Sequence, residues 1–337
     1  MQRRVSMKDI ANKVGVSIAL VSYVLNGQEK EKRVGAEVVR KIRAAAEELN
    51  YQPNQIARSL RTNSTKTIGL VVADIANPFF GHLARIIENE ANNYGYTVIF
   101  GSSDEDDYKS ETVINTLLNR QVDGFIIVPT EGSIDQIRGL IKKKVPLVLI
   151  DRYFPELNTN HVILDNFQAT FEATSRLIAE GYTDITMLAY KNSLIHMKER
   201  IRGYREAMAA NNLIDHIKVI EINYALDTRE FSELSSELDL KSPNKSALIF
   251  ATNALSLKGL YYISRKCLKI PEDYAFIGFD GGESFDLFNP PLSFVQQPLE
   301  EMGKESFSIL MNAIAGSKKI TRIMLSPSLI IRGSSGC

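Results

Sequence analysis

The 337-residue sequence predicts an α/β chain built in series: a small three-helix head with a helix-turn-helix, a short hinge helix, and a two-lobed body of doubly wound parallel sheets. Three observations predict it. Residues 7–26, MKDIANKVGVSIALVSYVLN, hold two short apolar-periodic runs broken at a glycine. Residues 50–61, NYQPNQIARSLR, form a brief amphipathic segment beside a polar boundary. From residue 67 onward, apolar runs alternate with helical patterns.

In the first stretch Ile10 and Val14 sit four apart, and Val21, Val24 and Leu25 repeat on one helical face. Gly15 can take the left-handed conformation that ends a helix, and Ser17 is a good N-cap for the next. Two helices joined this way fit a helix-turn-helix whose second helix enters the DNA major groove. They fit an ordinary core hairpin equally well, and the stretch alone does not separate the two. Residues 26–35, NGQEKEKRVG, read as a charged loop that separates rather than packs. Residues 36–49 then place Val38, Val39, Ile42, Ala45, Ala46 and Leu49 on one broad face, as a third helix closing a small core.

Pro53 suits a first helical turn, and residues 54–60 allow about two turns, too few to be stable alone. Ile56 and Leu60 lie four apart, flanked by Arg58 and Arg61. Apolar wedges with neighbouring arginines kink DNA through the minor groove; a plain linker packing on its neighbour has the same pattern. Residues 62–67, TNSTKT, mark a domain boundary.

The formal net charge of zero conceals an asymmetry: residues 1–62 hold twelve Lys/Arg against six Asp/Glu, and the remainder holds 28 against 34. A basic head on an acidic body can be drawn to phosphate without the body sticking to it. Two cysteines, Cys267 and Cys337, cannot make a disulfide framework, which fits a reducing compartment. The N-terminus MQRRVSMKDIA lacks an apolar signal region, and no run approaches the roughly 20 apolar residues of a membrane span. The expectation is a cytoplasmic chain with no membrane partner.

In the body, strands are expected at residues 67–75, 97–104, 124–130, 146–152, 161–166, 185–190, 219–224, 247–252 and 274–280. Helices are expected at 80–94, 108–120, 133–143, 167–180, 197–211, 228–240 and 255–266. Runs such as IGLVV, GFIIV and PLVLI with helices between them imply parallel sheets buried on both faces. Two such blocks in series suggest two lobes. Ligands bind outside the carboxyl ends of such strands, where Asp74, Asn77, Asp104, Asp151, Arg152, Asp165, Asn166, Asn253 and Asp280 gather. The cleft between lobes is therefore the expected ligand site.

No catalytic residue, metal or cofactor is expected. The four histidines have no metal spacing, and there is no GxSxG, Walker A or strand-borne GxGxxG motif. Asp151 with Asp280 as an acid and base pair would lack a nucleophile or phosphate cradle.

The order MKDIANKVGVS, VSYVLN, LNYQPNQIARSL, TIGLVVADIANPFF, VDGFIIVP, IDR, GFDG and QQP resembles the lactose-repressor and galactose-repressor family of bacterial transcription regulators over almost the whole chain. The resemblance implies a repressor that is a homodimer on a pseudo-palindromic operator in double-stranded DNA, with hinge helices in the minor groove. It implies a periplasmic-binding-protein-like body whose cleft takes a small effector, a sugar or sugar derivative. Its domains would be residues 1–50, a hinge at 51–67, and a body at 68–337. Lobe 1 would span about 68–165 plus 297–324, and lobe 2 about 166–296 plus 325–337.

By position, the recognition helix resembles Ser17 to Asn26, with Ile18, Ala19, Leu20 and Tyr23 facing bases and Ser17, Ser22 and Asn26 beside them. In the hinge, Leu60 matches the wedge, with Asn54, Ala57, Arg58 and Arg61 around it. In the body, Phe79, Phe80, Asp151, Arg152, His196, Arg200, Tyr224, Asn253, Asp280 and Gln297 match positions that hold the effector. Asp165 equally fits an N-cap for the helix near Phe167.

Tyr23 stands where relatives usually carry arginine, and it cannot make the same bidentate contact to guanine. The loop at Gln28 to Arg33 is longer than usual, so Lys30, Lys32 and Arg33 become candidates for phosphate contact. Ala254 replaces a frequent aspartate. The operator, the effector and the sign of its action stay open, as does a protein co-regulator. An extracytoplasmic sugar-binding protein and a sugar-processing enzyme are the competing readings; the basic head opposes the first.

Overall fold

Ser6 starts the first helix by bonding the Asp9 carboxylate through both its N–H (2.8 Å) and its hydroxyl (2.7 Å). In the computed structural model, which describes residues 5–52, 64–224 and 245–336, α1 (Met7–Val14), α2 (Ile18–Leu25) and α3 (Ala36–Glu48) form the head. Gly15 ends α1 at φ 74°, as its freedom from a Cβ permits. The Ser17 hydroxyl accepts the Leu20 N–H at 3.2 Å and starts α2. Ile10, Ala11, Val21, Val24, Ile42 and Ala45 make the buried core, with Val14, Leu25, Val38 and Val39 packed around it.

The charged loop does not merely separate α2 from α3. Arg43 donates to Glu29 at 2.7 Å, and the Glu29 side chain is only 20% exposed. The Val34 N–H bonds the Glu29 carbonyl and Val34 joins the edge of the core. Counting charges suggested a solvated loop; an ion pair between the half-buried Glu29 and the exposed Arg43 docks it on α3 instead. The hinge residues Pro53, Asn54, Ile56, Ala57, Arg58, Leu60 and Arg61 lie outside the described residues, as does the helix expected at 228–240.

Met1–Thr65 and Lys66–Cys337 are separate compact units. The second opens with β1 (Thr67–Val72), α4 (Pro78–Asn93), β2 (Thr97–Ser102), α5 (Asp107–Asn119), β3 (Gly124–Ile127), α6 (Ile134–Lys142), β4 (Leu147–Ile150) and β5 (Asn160–Leu164). It continues with α7 (Asn166–Ala179), β6 (Asp184–Tyr190), α8 (Ile195–Ala210), β7 (Lys218–Ile222), β8 (Ser246–Phe250), α9 (Asn253–Arg265) and β9 (Ala275–Phe279). All the expected strands but 185–190 overran their C-terminal ends by one to three residues, because the segments that follow turn out of the sheet toward the cleft.

Elements the sequence reading did not resolve follow: α10 (Glu283–Asp286), β10 (Ser293–Gln296), α11 (Leu299–Ile314), β11 (Arg322–Leu325) and β12 (Ser328–Ile330). The last two strands are three or four residues long and incompletely buried, so neither length nor apolar content marks them.

The sheets run β11-β5-β4-β3-β1-β2 and β12-β10-β9-β8-β6-β7, parallel throughout except for β10 against β12. Their orders correspond strand for strand. β11 pairs with β5 through Leu325, while β12 pairs with β10, so the chain changes sheet at Asp165, at Gln297–Pro298 and at Ser326–Pro327. Met302, Phe307, Ile309 and Leu310 of α11 pack with Ile68, Val72 and Ile126 on the first sheet. Tyr204, Phe250, Phe276 and Phe279 fill the second lobe. Among the described residues no helix is long and apolar enough to cross a membrane.

Candidate functional site

Each parallel strand ends where its backbone stops pairing, and the side chains just beyond project into the space between lobes. Asp151 follows β4 at φ 67° and Asp280 follows β9 at φ 53°; Glu105, beyond β2, has φ 58°. Asp tolerates left-handed backbone better than most residues, so the turn that ends each strand also aims a carboxylate. All ten body residues expected to hold an effector line one cavity of about 140 Å³.

One wall begins at α4. The Asn77 side chain caps the helix by accepting the Phe79 N–H at 3.1 Å, and the Phe79 and Phe80 rings meet edge-on with centroids 4.9 Å apart. Beside them Arg152 grips Glu105 through both terminal nitrogens, at 2.7 and 2.6 Å, and its Nε lies 3.4 Å from Asp151. Burial alone would lower the Arg152 pKa; the charges of Glu105 and Asp151 outweigh it and raise it. Burial raises Asp151, against the pull of Arg152 and Arg200.

The opposite wall is organised by Arg200 on α8, which is 3% exposed. Its Nε donates to Asn166 Oδ1 at 2.7 Å and its Nη1 to the Ala251 carbonyl at 2.5 Å, while its guanidinium lies 3.7 Å from the Phe279 ring centroid. Burial lowers its pKa to about 10, with Asp151 and Asp280 opposing. Asp280 is held by Gln297 Nε2 on its carboxylate at 3.0 Å and by Asn253 Nδ2 on its carbonyl at 2.6 Å. Burial pushes the Asp280 carboxyl up to about 7 against the nearby Arg200. His196 is buried with no partner on Nδ1, and burial keeps it neutral, well below its ordinary value. Gln297 Oε1 is likewise buried and unpartnered. A site holding unsatisfied acceptors, two carboxylates and a half-engaged guanidinium can grip a ligand rich in hydrogen-bond donors and acceptors.

Two bonds cross the cleft. Tyr224 donates its hydroxyl to Asp74 Oδ2 at 2.8 Å, and the Ser193 N–H bonds Glu131 Oε1 at 2.7 Å. Glu105, Glu131 and Tyr190 also line the cavity and were not singled out from the sequence. Their signal was position alone: each sits just after, or at the end of, a parallel strand. Asp165 does cap α7, accepting the Gln168 N–H at 2.9 Å.

On the head, Ile18 is 48% exposed, and Ser17 and Ala19 are exposed beside it. Leu20 and Tyr23 are half-buried, Leu20 against the head core. Ser22 and Asn26 bond each other at the end of α2, with Asn26 Nδ2 2.6 Å from the Ser22 carbonyl and 3.1 Å from its hydroxyl. Lys32 Nζ stands 5.9 Å from the Tyr23 ring centroid.

Comparison with known proteins decides between the readings of this arrangement. Residues 6–54 match the model described as bacterial regulatory proteins, lacI family, and residues 65–332 match periplasmic binding proteins and sugar binding domain of LacI family. The chain belongs to the LacI family. The regulator KdgR of Bacillus subtilis is 31% identical over 98% of this chain and 97% of its own. The lac repressor dimer bound to operator and an anti-inducer shares the fold, with TM-score 0.85 over 99% of both chains at 22% identity. A LacI-family regulator from Enterococcus faecium with bound ribose matches at TM-score 0.71 and 26% identity, covering 80% of this chain and 98% of its own. This LacI-family chain is thus a DNA-binding transcriptional regulator with a head and a two-lobed body.

Proposed function

We propose that the protein is a repressor whose operator affinity is set by one small, donor-rich ring, a sugar or sugar derivative, held between the lobes. The observation that carries this reading is the meeting of Asp151, Asp280 and Arg200 in a single cavity of about 140 Å³. An engineered protein cavity of about 150 Å³ admits benzene, so the space suits one ring and not a polymer. Carboxylates accept from hydroxyls, the guanidinium donates, and Phe79 and Phe80 cover an apolar ring face. The ribose-bound relative supports the ligand class.

The cavity binds rather than transforms its ligand: Asp280 is already engaged by Gln297 and Asn253 in a holding geometry. The protein acts as a homodimer on a pseudo-palindromic operator, as the operator-bound lac repressor dimer suggests. A ligand preferring one lobe arrangement shifts the population of DNA-competent dimers by its differential affinity. Thermal-shift screening of monosaccharides and their derivatives against the full chain tests this. A raised midpoint that disappears in Arg200→Met supports it; chemical turnover of the bound ligand overturns it.

A further inference from the structure

Asp151 and His196 line two cavities. The second, of about 260 Å³, lies at the pivot of the lobes, on the other side of these two residues. Its first-lobe wall carries Tyr153, just beyond β4, and Met324 of β11; its second-lobe wall carries Phe167 of α7, and Ile195 and Glu199 of α8. Asp165, where the chain changes sheet, completes it.

The geometry points to this hinge cavity as a second small-molecule site, for an amphipathic amine whose ring lies among Tyr153, Phe167 and Met324 and whose ammonium faces the carboxylates.

Three features favour that chemistry. The walls are mainly apolar and aromatic, and the exposed residue at the mouth, Met324, is 64% accessible, an adaptable apolar side chain facing solvent. Among the described residues the charged side chains lining the cavity are Asp151, Asp165 and Glu199, with no lysine or arginine. The first turns of α7 and α8 set some positive potential against them, Asp165 is occupied in capping α7 and both Glu199 oxygens are paired with Arg202, so Asp151 is the principal acceptor for the ammonium. Arg202 lies outside, stacked on Phe167 at 4.0 Å and paired with Glu199 at 2.5 Å. Finally, His196, which lines the cavity, is 4% exposed and its buried Nδ1 has no partner.

An occupant here touches both lobes beside two of the three sheet changes. By linkage it alters the affinity of the interlobe cavity, whichever ligand that cavity holds.

Calorimetric titration of the full-length protein with 2-phenylethylamine, 2-phenylethanol and 3-phenylpropionate tests the site. The amine should bind at one per chain, at least tenfold more tightly than either of the others. Met324→Lys sets a cation at the mouth on an already exposed position, so the fold should hold and amine affinity should fall at least tenfold. Phe167→Leu should weaken it several-fold. Tyr224→Phe, which removes a cross-lobe bond in the interlobe cavity, should change it by no more than the roughly fivefold that this bond is worth. Equal binding of amine and carboxylate, no amine binding, or indifference to Met324→Lys overturns the assignment. So does an amine affinity that drops tenfold or more in Tyr224→Phe, which would place the probe between the lobes.

Discussion

Asp151 and Asp280 occupy corresponding places in two sheets of corresponding order, each just beyond the third strand from its edge, each in left-handed backbone and each with a raised pKa, Asp151 buried and Asp280 half-buried. Arg200 is the cation that holds both carboxylates' charge in check. The site is therefore a balanced cluster between lobes rather than a feature of either one.

Asp280 makes stability depend on pH. Its folded pKa, about 7, lies above the ordinary aspartate value of 3.8, so the folded chain binds the proton more tightly than the unfolded chain does. Its contribution is full below about pH 4 and is lost as pH rises through 7. Asp280→Asn keeps the neutral form at every pH. Its thermal midpoint should exceed that of the wild type at pH 8, by a gain on the order of a few kcal/mol, and match it near pH 4. Melting curves across that range check the sign.

A ligand that donates hydroxyls to Asp280 stabilises the ionised carboxylate. Binding should then release a proton below pH 7, and affinity should rise with pH toward 7 and level off above it. Calorimetry in buffers of different ionisation enthalpy would detect the proton; affinity falling with pH would count against Asp280 as an acceptor.

Arg200→Met preserves much of the side-chain volume while removing a buried cation. It leaves Asn166 Oδ1 and the Ala251 carbonyl without a donor and Asp151 and Asp280 without their shared cation, so the midpoint of the unliganded variant should fall. Affinity for the interlobe ligand should fall tenfold or more. A change in midpoint without loss of binding would make Arg200 structural.

Tyr224→Phe deletes one cross-lobe bond and little else. At a partly exposed site that bond is worth about 1 kcal/mol, or roughly fivefold in ligand affinity. Equal affinity of the variant would show that this bond plays no part in holding the lobes together.

On the head, Lys32→Gln should lower the slope of log affinity against log salt by about 0.9, the share of one phosphate contact. Glu29→Ala, which releases the loop from Arg43, should weaken operator binding without changing base preference. An unchanged salt slope for Lys32→Gln would place that lysine off the DNA.

Sequence alone determined the elements whose cause is local. A glycine between two short apolar helices, a serine cap, apolar runs alternating with helical faces, and polar residues at strand ends each declare themselves within about ten residues. The ten effector positions came from motif order, and all ten line one cavity. Tertiary structure decided what depends on distant partners. The Glu29–Arg43 pair docks a loop that charge counting left in solvent. β11 and β12 are too short to be recognised until β5 and β10 pair with them. Glu105, 47 residues before Arg152, acquires its role only when parallel strands bring their ends together. A local pattern fixes backbone preference and burial over a few residues; a buried charge is defined by its neighbours, and the fold chooses those.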